Sequence, residues 1–143
     1  MNRIICLGNG FIQGDDFGPR VYARLAGGPL PADTEVIDGG IAGLNLLRFF
    51  DGCERLVFVD NLAESLPPDE IVVLEDSQLL DSAGAYSHAS GLGYLVRADR
   101  AIRGESRPQI FLVGAAQQAT DRAAAAAVER CLHLALAPLS ESC

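Results

Sequence analysis

The sequence lacks the run of about 20 apolar residues that a membrane-spanning helix needs, so no membrane segment is expected. Its first residues, Met1 to Gly8, hold too short an apolar stretch for a secretory signal, and a cytoplasmic protein is therefore expected. It also lacks any CxxC pair. Cys6, Cys53, Cys131 and Cys143 stand far apart, which argues against a zinc ribbon and against a redox dithiol. Cys6 and Cys131 fall within apolar segments and read as buried structural thiols. Cations are few, 11 Lys and Arg against 19 Asp and Glu, for a formal net charge of −8. Phosphate binding needs clustered positive charge, so no nucleic-acid partner is expected, whereas basic protein segments and metal ions stay open as ligands. No G-x-S-x-G elbow occurs, and no cysteine has a context that would activate it. Gly8, Gly10 and Gly14 are spaced G-x-G-x-x-x-G, unlike the dinucleotide fingerprint, and no Lys-Ser or Lys-Thr of a P-loop follows them.

What is present is the composition of a globular chain: 49% hydrophobic, 6% aromatic and 21% charged over 143 residues. That length suits one domain, residues 1–143, with no repeat, no linker and a loose tail at 138–143. Short apolar runs alternate with helical patterns, which predicts an α/β domain with a mostly parallel sheet. Strands are expected at Arg3–Leu7, Glu35–Asp38, Leu56–Asp60, Ile71–Glu75 and Ile110–Val113. The first, third and fifth are almost wholly apolar, as central strands covered on both faces must be. Pro19 suits a first helical turn, after which Val21, Tyr22 and Leu25 share a face. Ile41, Leu44 and Leu47 are expected on a second helical face, and Leu92, Leu95 and Val96 on a third. The closing helix carries the apolar stripe Ala124, Val128, Cys131, Leu132, Ala135 and Leu136, with Pro138 just beyond it.

In open parallel sheets, ligands gather at the carboxyl ends of strands, beside the point where strand order reverses. Three segments qualify: Gly8 to Pro19 after the first strand, Asp38 to Gly43 after the second, and Asp60-Asn61 closing the third. Asp60 ends a wholly apolar strand and reads either as a cap for a neighbouring loop or as a site residue. One of Asp15 and Asp16 is expected to cap the helix that starts near Pro19, leaving the other spare. Of the two histidines, His133 falls on the polar side of the last helix and is assigned no role. His88 lies just before the Leu92 helix, whose N-terminus disfavours imidazolium and keeps the ring neutral, as a ligand must be. One imidazole with two carboxylates suits a borderline divalent ion such as zinc, nickel or manganese.

Together these segments resemble the hydrogenase maturation protease family. Leu7-Gly8-Asn9 through Asp15-Asp16-Phe17-Gly18-Pro19 is similar to its first motif, and Asp38-Gly39-Gly40-Ile41-Ala42-Gly43-Leu44-Asn45-Leu46-Leu47 to its second. Val57-Phe58-Val59-Asp60 matches the third, and Ser87-His88 with Leu92 and Leu95 the fourth. The resemblance implies a three-layer α/β/α sandwich with a five-stranded, twisted sheet. It implies an endopeptidase that removes the C-terminal extension of a hydrogenase large-subunit precursor once nickel is in place. It also implies that Asp15, Asp60 and His88 contact that nickel, which arrives with the substrate and is not held permanently by the enzyme. Asp16 stands where the family usually has glycine and is kept as a substitute for Asp15. Asp38, Gly39, Gly40 and Gly43 are expected to bind substrate, the glycines by letting its backbone approach closely, although a tight strand-to-helix turn explains them equally. A monomer is expected. The alternative is a non-enzymatic metal- or small-molecule-binding module of the same fold, with affinity for the ion but no cleavage.

Overall fold

The computed structural model of the chain describes residues 1–41, 43–62, 65–80, 91–104 and 108–136. His88, Ala42, Cys143 and the tail from 137 onward lie outside the described residues.

Five strands form one sheet: β1 (Asn2–Leu7), β2 (Thr34–Gly40), β3 (Arg55–Asn61), β4 (Ile71–Glu75) and β5 (Gln109–Ala115). Their order is β2-β1-β3-β5-β4, with every pairing parallel except the antiparallel β4–β5 edge. The three apolar strands β1, β3 and β5 are central, as expected. Each sends alternate residues into two separate cores. Ile4, Cys6, Val57, Val59 and Val113 meet α1 (Phe17–Ala26) and α4 (Asp121–Leu136). Ile5, Leu7, Leu56, Phe58 and Leu112 meet the other layer: a 3-10 helix (Leu44–Phe50), α2 (Asp76–Leu80) and α3 (Leu92–Arg103). The result is the expected α/β/α sandwich.

The helix faces hold with three corrections. In α1 and α3 the expected residues Val21, Leu25, Leu92, Leu95 and Val96 are buried. The Ile41–Leu44–Leu47 face does not exist as such. The segment winds as a 3-10 helix, three residues per turn, which turns Leu46 and Phe50 inward and leaves Ile41 and Leu44 exposed. Leu136, the last residue of α4, is exposed, whereas Ala135 beside it is buried. Neither Asp15 nor Asp16 caps α1 with its side chain. Asp16 occupies the N-cap position without a side-chain bond, and the N–H of Phe17 is taken by Asn61 Oδ1 at 3.0 Å.

Cys6 and Cys131 are both fully buried in the α1/α4 core, and burial pushes both thiols well up, Cys131 to about 12. Both therefore stay protonated at neutral pH. No helix among the described residues is long and apolar enough to cross a membrane.

Candidate active site

The chain leaves β1 toward β2 on one side, then crosses back to place β3 on β1's other side. Strand order therefore reverses between β1 and β3, and the crevice outside their carboxyl ends is where such a sheet binds ligands. Asp15 and Asp60 come from those two ends.

Asp15 is held by a turn that closes on itself. Asn9 N–H donates to the Asp15 carbonyl at 2.7 Å and lies 3.2 Å from its Oδ2, while Asp15 N–H donates to Ile12 O at 3.1 Å. Gly8 makes the turn possible. Its φ is +126°, and a Cβ there would sit 2.3 Å from the Asp15 carbonyl oxygen. Gly18 matters likewise, since a Cβ would lie 1.9 Å from Leu7 O, so the α1 N-terminus can rest directly on the end of β1. Asp15 and Asp16 are both half-buried.

Asp60 is the penultimate residue of β3, 9% exposed, and its Oδ1 accepts the Asn61 N–H at 2.7 Å. By the two-residue alternation of β3, Asp60 falls on the face of Leu56 and Phe58, against which α3 packs. Asn61 falls on the opposite face. There it joins the α1 N-terminus to β5, its Nδ2 donating to Ala116 O at 2.8 Å. Sequence reasoning marked Asn61 as the end of a strand but gave it no task. The signal was an amide beside an acid at a strand terminus, a residue type suited to capping another element's helix.

Among the described residues no three His, Cys, Asp or Glu side chains gather closely enough to hold a metal ion. Two carboxylates at the switch point can add oxygen ligands to an ion that brings others with it, but they do not form a complete cage. The third expected member, His88, belongs to the α2–α3 connection outside the described residues.

Beside this crevice runs a groove of ≈ 500 Å³ lined by Gly8 to Phe11, Pro19, Asp38, Gly40 and Ile41. Asp38 is exposed at the end of β2. Gly40 has φ +61° and open space where a side chain would stand. The other two glycines are placed differently. Gly39 packs beneath, where a Cβ would come within 2.6 Å of Ile5, and Gly43 is the N-cap of the 3-10 helix. A larger hollow of ≈ 640 Å³, lined by Ile71, Glu129, Arg130 and His133 among others, lies at the β4 edge. The whole of β5 separates that edge from the switch point.

The chain is thus an α/β domain, a mostly parallel sheet between helical layers, with Asp15 and Asp60 issuing from neighbouring strand ends at the switch point, where sheets of this kind bind ligands. The hydrogenase maturation protease family model matches residues 19–137, and the chain belongs to that family. The match begins after the turn that carries Asp15. Two curated relatives are "Hydrogenase expression/formation protein HupD" of Rhodobacter capsulatus and of Bradyrhizobium diazoefficiens. The first is 34% identical over 86 residues, covering 58% of this chain and 41% of the relative. The second is 28% identical over 122 residues, covering 79% and 62%. The matches thus span about two-fifths to three-fifths of those relatives. The fold is shared with the [NiFe] hydrogenase maturation protease HybD from Thermococcus kodakarensis, with a TM-score of 0.68 and 23% identity over 94% of this chain and 99% of that one.

Proposed function

We propose that this protein is a processing endopeptidase that removes the C-terminal extension of a nickel-containing hydrogenase large-subunit precursor after nickel insertion. The observation that carries the reading is the pair Asp15 and Asp60, set at adjacent strand ends of a hydrogenase maturation protease family member. The nickel is part of the substrate. Asp15, Asp60 and His88 add one imidazole and two carboxylates to an ion already held by the precursor, and so position the peptide to be cut. Binding through the ion makes processing depend on nickel, because a precursor without it loses those contacts.

Each residue has a distinct physical task. Asp60, nearly dry, presents its carboxylate in surroundings where charge interactions are weakly screened. Asp15 is aimed by its own turn. The open backbone at Gly40 lets an extended substrate segment lie close, with Asp38 beside it. The attacking group is a water, activated at the carboxylates against the scissile carbonyl. Hydrolysis then consumes that water and releases the extension as a free peptide. The enzyme works in the cytoplasm as a monomer, without nucleic acid or membrane.

The test is to mix the purified protein with purified precursor, with and without nickel, and read the large subunit's mass. The expected result is a loss of mass equal to the C-terminal extension, only when nickel is present. A nickel-loaded precursor that binds but stays uncut would establish the binding-module alternative.

A further inference from the structure

We infer that Phe11 and Ile41 form an apolar clamp that grips a bulky hydrophobic side chain of the precursor, making them specificity-determining residues; this rests on the processing function proposed above. Eight large apolar side chains are exposed among the described residues, and four of them fall in two short segments: Phe11 and Ile12 in the β1–α1 turn, Ile41 and Leu44 between the end of β2 and the start of the 3-10 helix. Those segments are some thirty residues apart in sequence, yet Phe11 and Ile41 line the same groove. Scattered exposed apolar residues are ordinary, but a cluster flanking a concave site marks a binding surface.

The exposure is built into the loops. Phe11 N–H donates to Asn9 Oδ1 at 2.9 Å and Ile12 N–H to Asn9 O at 3.1 Å, so the turn that orients Asp15 also holds Phe11 outward, fully exposed. Ile41 follows Gly40, whose left-handed φ throws the chain off the end of β2, and it remains 79% exposed. Gly8, Gly10 and Gly40 share that lining and bring no side chain into the groove. A groove lined by three glycines and two large apolar side chains fits an extended peptide that carries one bulky apolar residue. The volume lies within the roughly 300–1,000 Å³ range of ligand clefts. Charge narrows the occupant further. Among the described residues the lining includes the Asp38 carboxylate and no cation, which disfavours an acidic segment. The clamp also shares the β1–α1 turn with Asp15, so a segment seated in it lies against the turn that positions the proposed ion ligand.

The experiment is steady-state processing of purified, nickel-loaded precursor by the full chain. Wild-type protein must first cut it; failure there sinks the processing function itself and is distinguishable from failure of the clamp. The double variant Phe11→Ser/Ile41→Ser is expected to raise KM at least about tenfold, equivalent to about 1.4 kcal/mol, with a much smaller change in kcat. Phe11→Leu, which keeps an apolar body, should restore most of the loss. Ile102→Ser, an equally apolar change exposed on α3, should leave KM alone. Thermal melts of each variant establish that it is folded. As a second reading that does not depend on those variants, apolar residues of the precursor's extension are replaced by Ser one at a time. One position should raise KM for wild type and add nothing to the double variant. An unchanged KM in the folded double variant overturns the clamp. So does a wild-type dimer that the double variant converts to monomer without changing KM, for the face would then belong to a second copy of this chain.

Discussion

Asn61, the last residue of β3, caps α1: its Oδ1 accepts the Phe17 N–H at 3.0 Å while its Nδ2 donates to Ala116 O at 2.8 Å. One amide thereby fastens the β1–α1 turn to the ends of β3 and β5, next to Asp60. Asn61→Ala should lower unfolding free energy by about 1–2 kcal/mol, since it strips a helix N–H and a carbonyl of their partner. Urea unfolding measures this, and an unchanged midpoint would show that water replaces the amide at no loss.

Processing should be abolished by Asp60→Asn or His88→Ala, with the far-UV spectrum and melting temperature kept. Asp15→Asn should reduce the rate more than Asp16→Asn. The Asp15 carboxylate is held on the Asn9 N–H just past the end of β1, whereas Asp16 sits at the α1 N-cap position without bonding it. The opposite ranking, read by mass spectrometry of the large subunit, would move the acidic position to Asp16.

Gly8→Ala is expected to be severe for its size. The backbone at φ +126° disfavours a side chain, and the added carbon would lie 2.3 Å from Asp15 O. The turn must open, at a cost of about 2 kcal/mol or more, and carry Asp15 away with it. A variant with unaltered stability and full processing would mean that the turn has another way to close.

Arg103 ties α3 to the 3-10 helix through a bond to Asp51 and a contact of 3.3 Å to Leu47 O, and within α3 it bonds Asp99 one turn earlier. Asp99 is wholly buried, and its Oδ2 has no hydrogen-bond partner among the described residues. Arg103→Met should therefore destabilise by about 3 kcal/mol or more, by leaving a buried carboxylate unpaired. Adding Asp99→Leu should recover most of that, because the desolvated charge goes too. If the double variant proves no more stable than Arg103→Met in guanidinium unfolding, the pair is not the source of the loss.

The buried thiols predict a fall in stability in alkali. Burial raises the pKa of Cys6 and Cys131 above the ordinary 9.0, so the folded chain keeps protons that the unfolded chain releases. This stabilisation is complete below pH 9 and is lost as the pH climbs toward 12, at about 1.4 kcal/mol per pH unit for each thiol. The sequence contains no lysine and only three tyrosines, so few other groups titrate in that window. Melting temperature followed from pH 8 to pH 10 should drop. In Cys131→Ala the drop should be shallower, and an identical slope would show that the thiol plays no part.

How much was legible follows from the range of each interaction. The five strands, the central place of β1, β3 and β5, and the α1 and α3 faces were readable, because period and apolar content are properties of short segments. The Ile41–Leu44–Leu47 face was misread because 3.6- and 3.0-residue windings look alike over one turn, and only packing of Leu46 and Phe50 against the sheet selects between them. The α1 cap was misread for a similar reason. Asp15 and Asp16 are local candidates, while the group actually used is Asn61, 44 residues beyond the Phe17 N–H that it accepts.

The sequence by itself determined the layer architecture, the acidic and glycine-rich segments that end strands, and the likeness to the hydrogenase maturation protease family. Tertiary structure alone decided that Asp15 and Asp60 issue from neighbouring strand ends, that Asn61 closes a distant helix, and that Phe11 and Ile41 share one groove. The physical reason is that hydrophobic periodicity acts within a segment, whereas strand order and loop closure bring together residues that no local preference connects.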